Sequence, residues 1–429
     1  MEKEINLLQF NELIDKNNSA FLCGNGFSIN FDSDFGNVFN RLYDSHKEVI
    51  YNSKYEIKSN KLFTQKCKEN YLNVIEYLHH ISESKFYKIF DDAVIFAESI
   101  RNNKKLIEEL WEKKKLNMLV FGFSQVDILT SICDVGRTEG TRYVNIEHWT
   151  ILVYFYFRIK EINPEYYNFP KNNSFISVVK RGGKSKIILM KDIHEDVIFN
   201  GFTIYLRMLF STAIFANGKA LDFSKLNRLC NLELPRIKLF LEKFKALISL
   251  NYDHIIENIV DQKVEHLHGQ YKKEIIEYVY NQSFSLRYYD GYVSFSDILI
   301  GDYFVFKSFL PVVNNHSRNS VNKKVPHFSD KLDSLIRDNK INTIVLFGLN
   351  IDNDYHVLRN IMLGLFSANV VNPRIIYCYY RSTERIQFEK QHTAVITFSK
   401  EASTYAENIE LCFIKTQDIL KDYFEKKKN

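Results

Sequence analysis

The sequence predicts an α/β protein with a doubly wound, Rossmann-like parallel sheet and a large, mostly helical insertion. Short, wholly apolar runs alternate with helical patterns near both ends of the chain, which is typical of parallel strands covered on both faces. Between about 46 and 240 the pattern changes to long helical stretches. We therefore expect a sheet domain from 1–45 and 241–425, interrupted by a helical insertion at 46–240.

Four apolar runs supply the expected strands of the sheet domain. The first, at 19–28, follows a helical pattern and ends in a G-x-G turn that opens a helix. The second, at 246–253, is followed by a helical pattern at 254–260 and a further strand at 263–269, which together suit a short βαβ unit. Runs at 343–350 and 374–380 each precede a helical pattern, at 355–366 and 382–389.

The insertion contains helical patterns at 70–112, 143–160 and 198–216. Two β-prone runs around a Gly-Gly turn predict a hairpin at 175–189. Lysines and arginines make this hairpin basic, but a solvated turn explains them better than nucleic acid does. An aromatic helix at 149–157 is too apolar for a surface, so we expect it to pack into the core or against another subunit.

Composition limits the partners of the chain. It has 429 residues, of which 45% are hydrophobic and 15% aromatic, so it folds rather than staying disordered. The formal net charge of +5 is too small to require nucleic acid or a membrane surface. The start shows no secretory pattern, and no apolar stretch reaches the roughly 20 residues of a membrane span, so we expect a cytoplasmic protein.

Cysteine spacing argues against a structural metal. The six cysteines are scattered and form no C-x-x-C pair. We therefore expect neither a disulfide framework nor zinc, and the sequence assigns no metal ligands.

Polar and glycine residues at the predicted strand ends are the candidates for chemistry. Gly24 and Gly26 could let a dinucleotide phosphate approach bare backbone at a helix N-terminus, or they could form an ordinary tight turn. Asn251 and Asp253 lie where open α/β sheets bind ligands, but they could equally cap the next helix. His266 and His268 face the same way by strand alternation, and the pattern alone does not choose a base between them.

Taken in order, the strand ends resemble a known family. The segments G-N-G-F-S at 24–28, S-L-N-Y-D at 249–253, L-H-G at 267–269 and G-L-N-I at 348–351 are similar to the successive signatures of sirtuins. The closer likeness is to divergent bacterial sirtuin-like proteins, including a branch with G-N-G-F-S and a D-N-D-Y-H-like segment, here at 352–356. Asp34-Phe35 resembles part of another sirtuin segment, with Gly36 in place of its arginine.

The resemblance implies NAD as the substrate and cleavage of its nicotinamide–ribose bond. It implies that Asn251 orients the ribose or water, that Asp253 steadies the loop, and that His268 is the general base. It further implies contacts to NAD from the residues of the first motif, from Asp34 and from the fourth motif, namely Gly24, Asn25, Gly26, Phe27, Ser28, Asp34, Gly348 and Asn350.

These implications lead to one expected function and two alternatives. The expected function is a regulated NAD hydrolase, of a kind that often serves bacterial antiphage defence. The expected partners are a second copy of the chain or a partner defence protein, with a phage-derived trigger. The alternatives are a module that senses NAD or ADP-ribose without turnover and, less favoured because the paired cysteines are missing, an NAD-dependent deacylase.

Overall fold

The computed structural model describes residues 2–36, 38–51, 65–116, 124–162, 165–183, 197, 200–227, 231–273, 285–288, 291–295 and 328–426. The chain divides into two compact units. The first comprises Met1–Gly36, Phe215–Tyr271 and Pro326–Asn429, and the second comprises Asn37–Ile214 and Lys272–Val325.

The first unit contains a seven-stranded sheet in which every pair of neighbours is parallel. In the order of the chain its strands are β1 Glu2–Glu4, β2 Ser19–Cys23, β3 Ala246–Ser249, β4 Val264–His266, β8 Thr343–Phe347, β9 Arg374–Tyr379 and β10 Glu410–Lys415. The remaining strands, β5 Tyr271–Lys273, β6 Ser285–Tyr288 and β7 Gly291–Phe295, form a small separate sheet.

The order across the large sheet is β1-β10-β9-β8-β2-β3-β4. After β1, which later becomes the edge strand beside β10, the chain forms the central strand β2, adds β3 and β4 on one side, and then crosses to add β8, β9 and β10 on the other. This reversal is the doubly wound arrangement, and it confirms the predicted α/β class with a parallel sheet consistent with a Rossmann-like fold. The crevice where ligands bind in such folds lies beside β2 and β8, where the order reverses.

Both faces of this sheet are covered. Along β2, Phe21 and Cys23 belong to one hydrophobic cluster, whereas Ala20 and Leu22 belong to the other, as strand alternation requires. The helices of this unit are Leu7–Lys16, Asn25–Ser28, Leu234–Leu241, Phe328–Asp338, Ile351–Ser367, Ser382–Val395, Lys400–Glu407 and Thr416–Ile419. Burial on two faces explains why the strands read as continuous apolar runs.

The described part of the second unit is mainly helical between residues 38 and 214. Its helices are Leu42–Tyr51, Gln65–Leu78, Glu83–Arg101, Lys104–Glu112, Gln125–Thr138, Thr150–Ile162, Ser174–Arg181 and all but the last residue of Gly201–Phe215. The aromatic helix Thr150–Ile162 is buried through Ile159 within the single chain. No helix among the described residues is both long and apolar enough to span a bilayer.

Two sequence predictions of secondary structure were wrong. The first strand of the hairpin expected at 175–189 is part of the helix Ser174–Arg181, whose Phe175, Ile176, Val178 and Val179 are buried on one side. Residues 184–189, its expected second strand, lie outside the described residues. The helix expected at 254–260 is a series of turns between the parallel neighbours β3 and β4.

Candidate functional site

The candidate site lies at the carboxyl edge of the large sheet. The segments after β2, β3, β4 and β8 all leave the sheet at this edge, because the four strands are parallel neighbours. The loops after β3 and β4 are also tied to their neighbours: Leu250 N donates to Cys23 O at 2.9 Å, and Leu267 N donates to Ser249 O at 3.0 Å. The fold thus brings the four predicted motifs to one edge of one sheet.

Backbone contact between two of these loops explains their glycines. Gly26 N donates to Gly348 O at 2.9 Å, and Gly24 N donates to Phe347 O at 3.0 Å. A Cβ on Gly26 would lie 2.6 Å from Gly348 Cα, and Gly348 itself has a φ of +65°, in the left-handed region that glycine tolerates. The close approach of two backbones therefore requires glycine at both positions, whatever binds above them.

Three predicted residues form one hydrogen-bonded unit. The Asn251 side-chain amide donates from Nδ2 to Gly24 O at 3.0 Å and to Ser28 Oγ at 2.8 Å. Ser28 Oγ in turn donates to Asp253 Oδ2 at 2.6 Å, and Asp253 Oδ1 accepts from Ile255 N at 3.0 Å. The loop after β2 and the loop after β3 are therefore fixed to each other by side chains.

The two ends of this unit differ in character. Asp253 is buried, and burial raises its pKa although the bonds from Ser28 and Ile255 favour the carboxylate. Asn251 is partly exposed, and both hydrogens of its amide are donated, one to Gly24 O and one to Ser28 Oγ. The amide orientation is consequently fixed, and Oδ1 is the atom that can accept a hydrogen bond from a ligand hydroxyl or water.

His266 is held by two acceptors. Its Nδ1 lies 2.7 Å from Asn251 O, and its Nε2 lies 2.6 Å from Glu257 Oε1. Burial opposes a charge on this ring, but the bond to Glu257 outweighs it and raises the pKa of His266. Because a carbonyl and a carboxylate both accept, both ring nitrogens carry protons. The two acceptors favour the charged form of His266, and its bond to Asn251 O supports the loop after β3.

His268 has a different neighbourhood. It is buried, and its Nε2 lies 3.2 Å from Nε2 of His356 on the helix Ile351–Ser367. Burial lowers the pKa of His268 to about 4, so the ring is neutral at physiological pH. One ligand atom of each of His268, His356 and Asp354 lies within 4.8 Å of the others. Burial also raises the pKa of Asp354 to about 7.

The sequence placed Asp354 and His356 in a motif but assigned them no role. The available signal was an Asp-x-His spacing directly after an apolar strand end, at the same sheet edge as His268. The contact of His356 with His268 joins residues that are 88 positions apart in the chain, and local spacing in the sequence does not predict such a contact.

The other residues that were predicted to contact NAD lie in the segments that follow the strands at this edge of the sheet. Asn25 is exposed and donates from Nδ2 to Phe35 O at 2.6 Å, whereas the Phe27 side chain is fully buried in the hydrophobic core. Asp34 accepts from Lys219 Nζ at 2.6 Å. Asn350 is exposed between β8 and the helix Ile351–Ser367. Phe27 thus serves packing with its side chain, and only its backbone faces the turn.

Comparison with known proteins identifies no relative of this chain. No protein-family model, no curated protein and no solved structure matches this chain.

Proposed function

We propose that this chain is an NAD hydrolase that cleaves the nicotinamide–ribose bond. The observation that carries the proposal is the Ser28–Asn251–Asp253 unit, which fixes a polar amide at the carboxyl edge beside the point where the strand order reverses. This is where doubly wound folds bind nucleotides. The resemblance of the four motifs to sirtuin-like proteins supplies the choice of NAD.

The proposed reaction assigns a part to each of these residues. Cleavage builds positive charge at the ribose, and water must then be oriented and deprotonated. Asn251 Oδ1 would accept from a ribose hydroxyl or from the attacking water, while Ser28 and Asp253 keep its amide in one orientation. They are positioning residues in this scheme, because they act through Asn251.

His268 is the proposed base. His266 is unsuited to that role because both of its nitrogens face acceptors, which favours a proton on each. Burial keeps the ring of His268 neutral, and its Nε2 lies against another imidazole, His356, and not against a carboxylate. The structure therefore supports the choice between two histidines that strand alternation left open.

Regulation and assembly are part of the proposal. An unrestrained NAD hydrolase would poison its own cell, so we propose that the helical residues at 46–240 act as an insertion that senses a phage-derived trigger in antiphage defence. A second copy or a partner protein would complete the active form. The aromatic helix Thr150–Ile162 does not argue for such a partner, since the chain itself buries it.

The test is nicotinamide release from NAD by the purified protein, with Asn251→Ala and His268→Ala as variants. We expect ADP-ribose as the product and a loss of roughly 100-fold or more in each variant, as for the removal of a transition-state contact or a base. His392→Gln is the control, because His392 is a buried histidine on the helix Ser382–Val395, and none of the site contacts described above comes from this helix.

The alternatives give different results. NAD or ADP-ribose binding without nicotinamide release would support the sensor. Nicotinamide release that depends on an acylated peptide would support the deacylase. Full activity in both Asn251→Ala and His268→Ala would refute the proposed mechanism.

A further inference from the structure

The contact between His268 and the helix Ile351–Ser367 has the composition of a metal site. His268 follows β4, while Asp354 and His356 come from the helix, so two elements of the first unit supply three ligand atoms. Two imidazole nitrogens and one carboxylate oxygen are ligands typical of Zn²⁺ and of related first-row ions. Mg²⁺ and Ca²⁺ prefer sites made of oxygen atoms alone.

Local backbone geometry gathers the two helical ligands. Residues two apart on a regular α-helix point to nearly opposite sides, so Asp354 and His356 would not normally share a face. At Asp354, however, φ is −112° and ψ is 19°, and the regular helix is interrupted. This interruption is what allows both side chains to reach His268.

The distances suit a four-coordinate ion. Two nitrogens bound to tetrahedral zinc at about 2.0–2.1 Å are separated by roughly 3.3 Å. The Nε2 atoms of His268 and His356 are separated by 3.2 Å, and a ligand atom of Asp354 lies within 4.8 Å of both.

We propose that His268, Asp354 and His356 bind a divalent transition-metal ion, with Zn²⁺ as the ion that fits them best. Both histidines are buried, at 7% and 3% exposure, which favours the neutral imidazoles that metals require. Three protein ligands leave a fourth position for water or another small ligand. The chain was expected to lack zinc because it has no paired cysteines. That reasoning did not include a site made of histidine and aspartate.

Binding requires a change of tautomer. While the two Nε2 atoms face each other, one carries the hydrogen and the other accepts it. With an ion bound, both Nε2 atoms present lone pairs, and the hydrogen moves to Nδ1 of its own ring by exchange with solvent. No charge changes on either ring.

The proposed ion would also affect catalysis by His268. An Nε2 atom that ligates a metal cannot accept a proton, so zinc would inhibit NAD hydrolysis. This consequence rests on the proposed function, whereas ion binding does not.

Titration of the chelator-treated protein with Co²⁺ tests the site, because tetrahedral Co²⁺ gives strong visible absorption bands. We expect one ion per chain, displaced by Zn²⁺, and an affinity for Zn²⁺ that falls at least 100-fold in His356→Ala and in Asp354→Asn. Circular dichroism checks folding, and Asp354→Asn keeps the shape of the side chain. A variant with both His79→Ala and His80→Ala is the control, since it removes a pair of histidines, one half-buried and one exposed, outside the site.

The outcomes separate this proposal from the proposed function. Zinc binding that is lost in the two site variants, in a protein that releases no nicotinamide even after chelator treatment has removed the ion, would support the metal site and refute the hydrolase. Nicotinamide release with no Co²⁺ bands, or with equal zinc affinity in the site variants, would overturn the metal site. Zinc bound at this site without any effect on NAD turnover would overturn the inhibition alone.

Discussion

Replacement of Gly26 by alanine tests whether backbone packing explains the glycines of the first motif. The new Cβ would lie 2.6 Å from Gly348 Cα and 3.0 Å from Gly348 O. An ordinary carbon–carbon contact is about 3.5–4.0 Å, so the two backbones would have to separate by about 1 Å. They cannot do so freely, because the hydrogen bond of 2.9 Å from Gly26 N to Gly348 O joins them at this point.

The size of the effect follows from this geometry. Overpacking of a core costs about 1–3 kcal/mol, and here backbone rather than a flexible side chain must move, so we expect about 2–3 kcal/mol. At roughly 2–4 °C per kcal/mol, the melting temperature of the first unit should fall by about 4–12 °C in calorimetry.

Gly183→Ala is the matched control. Its Cβ would meet its nearest neighbours only at 3.5 Å, which is an ordinary contact, so we expect no loss of stability. A Gly26→Ala protein that melts within 1 °C of the parent would refute the packing argument. If that variant also lost NAD binding, the glycine would be present for a ligand and not for Gly348.

Three further predictions concern neighbouring residues. Ser28→Ala leaves the buried Asp253 carboxylate without one donor, so the free energy of unfolding, measured in urea, should fall by about 1–3 kcal/mol. The fall should be smaller in Ser28→Thr, which keeps a hydroxyl. Burial opposes ionisation of Asp32, but hydrogen bonds from Lys219 and from two backbone N–H groups lower its pKa. The protein should therefore lose stability as the pH falls below about 4, which is measured by the melting temperature as a function of pH. This loss of stability should be smaller in Lys219→Met. Phe27→Ala should cost about 3–5 kcal/mol in the same urea assay, because Phe27 is fully buried, and a change below 1 kcal/mol would contradict its place in the core.

Most of the strands that are buried on both faces of the sheet were predictable from the sequence. Strands β2, β3, β8 and β9 read as uninterrupted apolar runs because both faces are covered. Two strands were missed: β10, although its central residues are buried, and the edge strand β1, since Glu2–Glu4 is short and charged and pairs only with β10. A polar edge strand carries no apolar signal.

Local propensity misled where tertiary packing decided the structure. The segment Ser174–Arg181 is rich in β-branched and aromatic residues, yet it forms a helix that Asn173 caps at its N-terminus. Its apolar residues recur with helical spacing, and that period was the better guide than residue type.

The site was predictable only in part. The four motifs could be expected to meet because parallel strands end at one edge. The contacts within the site could not be predicted. The hydrogen bond from Asn251 to Ser28 and the contact of His268 with His356 depend on side-chain directions, which the periodicity of the sequence does not encode.

The strand order has a consequence for synthesis on the ribosome. Strand β2 leaves the ribosome early, but its partners are β3, which begins at Ala246, and β8, which begins at Thr343. At about 5–20 residues per second, the apolar side chains of β2 wait roughly 10–45 s for their first neighbour. During that interval they are a site for aggregation or for a holding chaperone. A pause in translation placed between β2 and β3 would therefore lower the yield of folded protein more than a pause placed after β9, when the central strands are already paired.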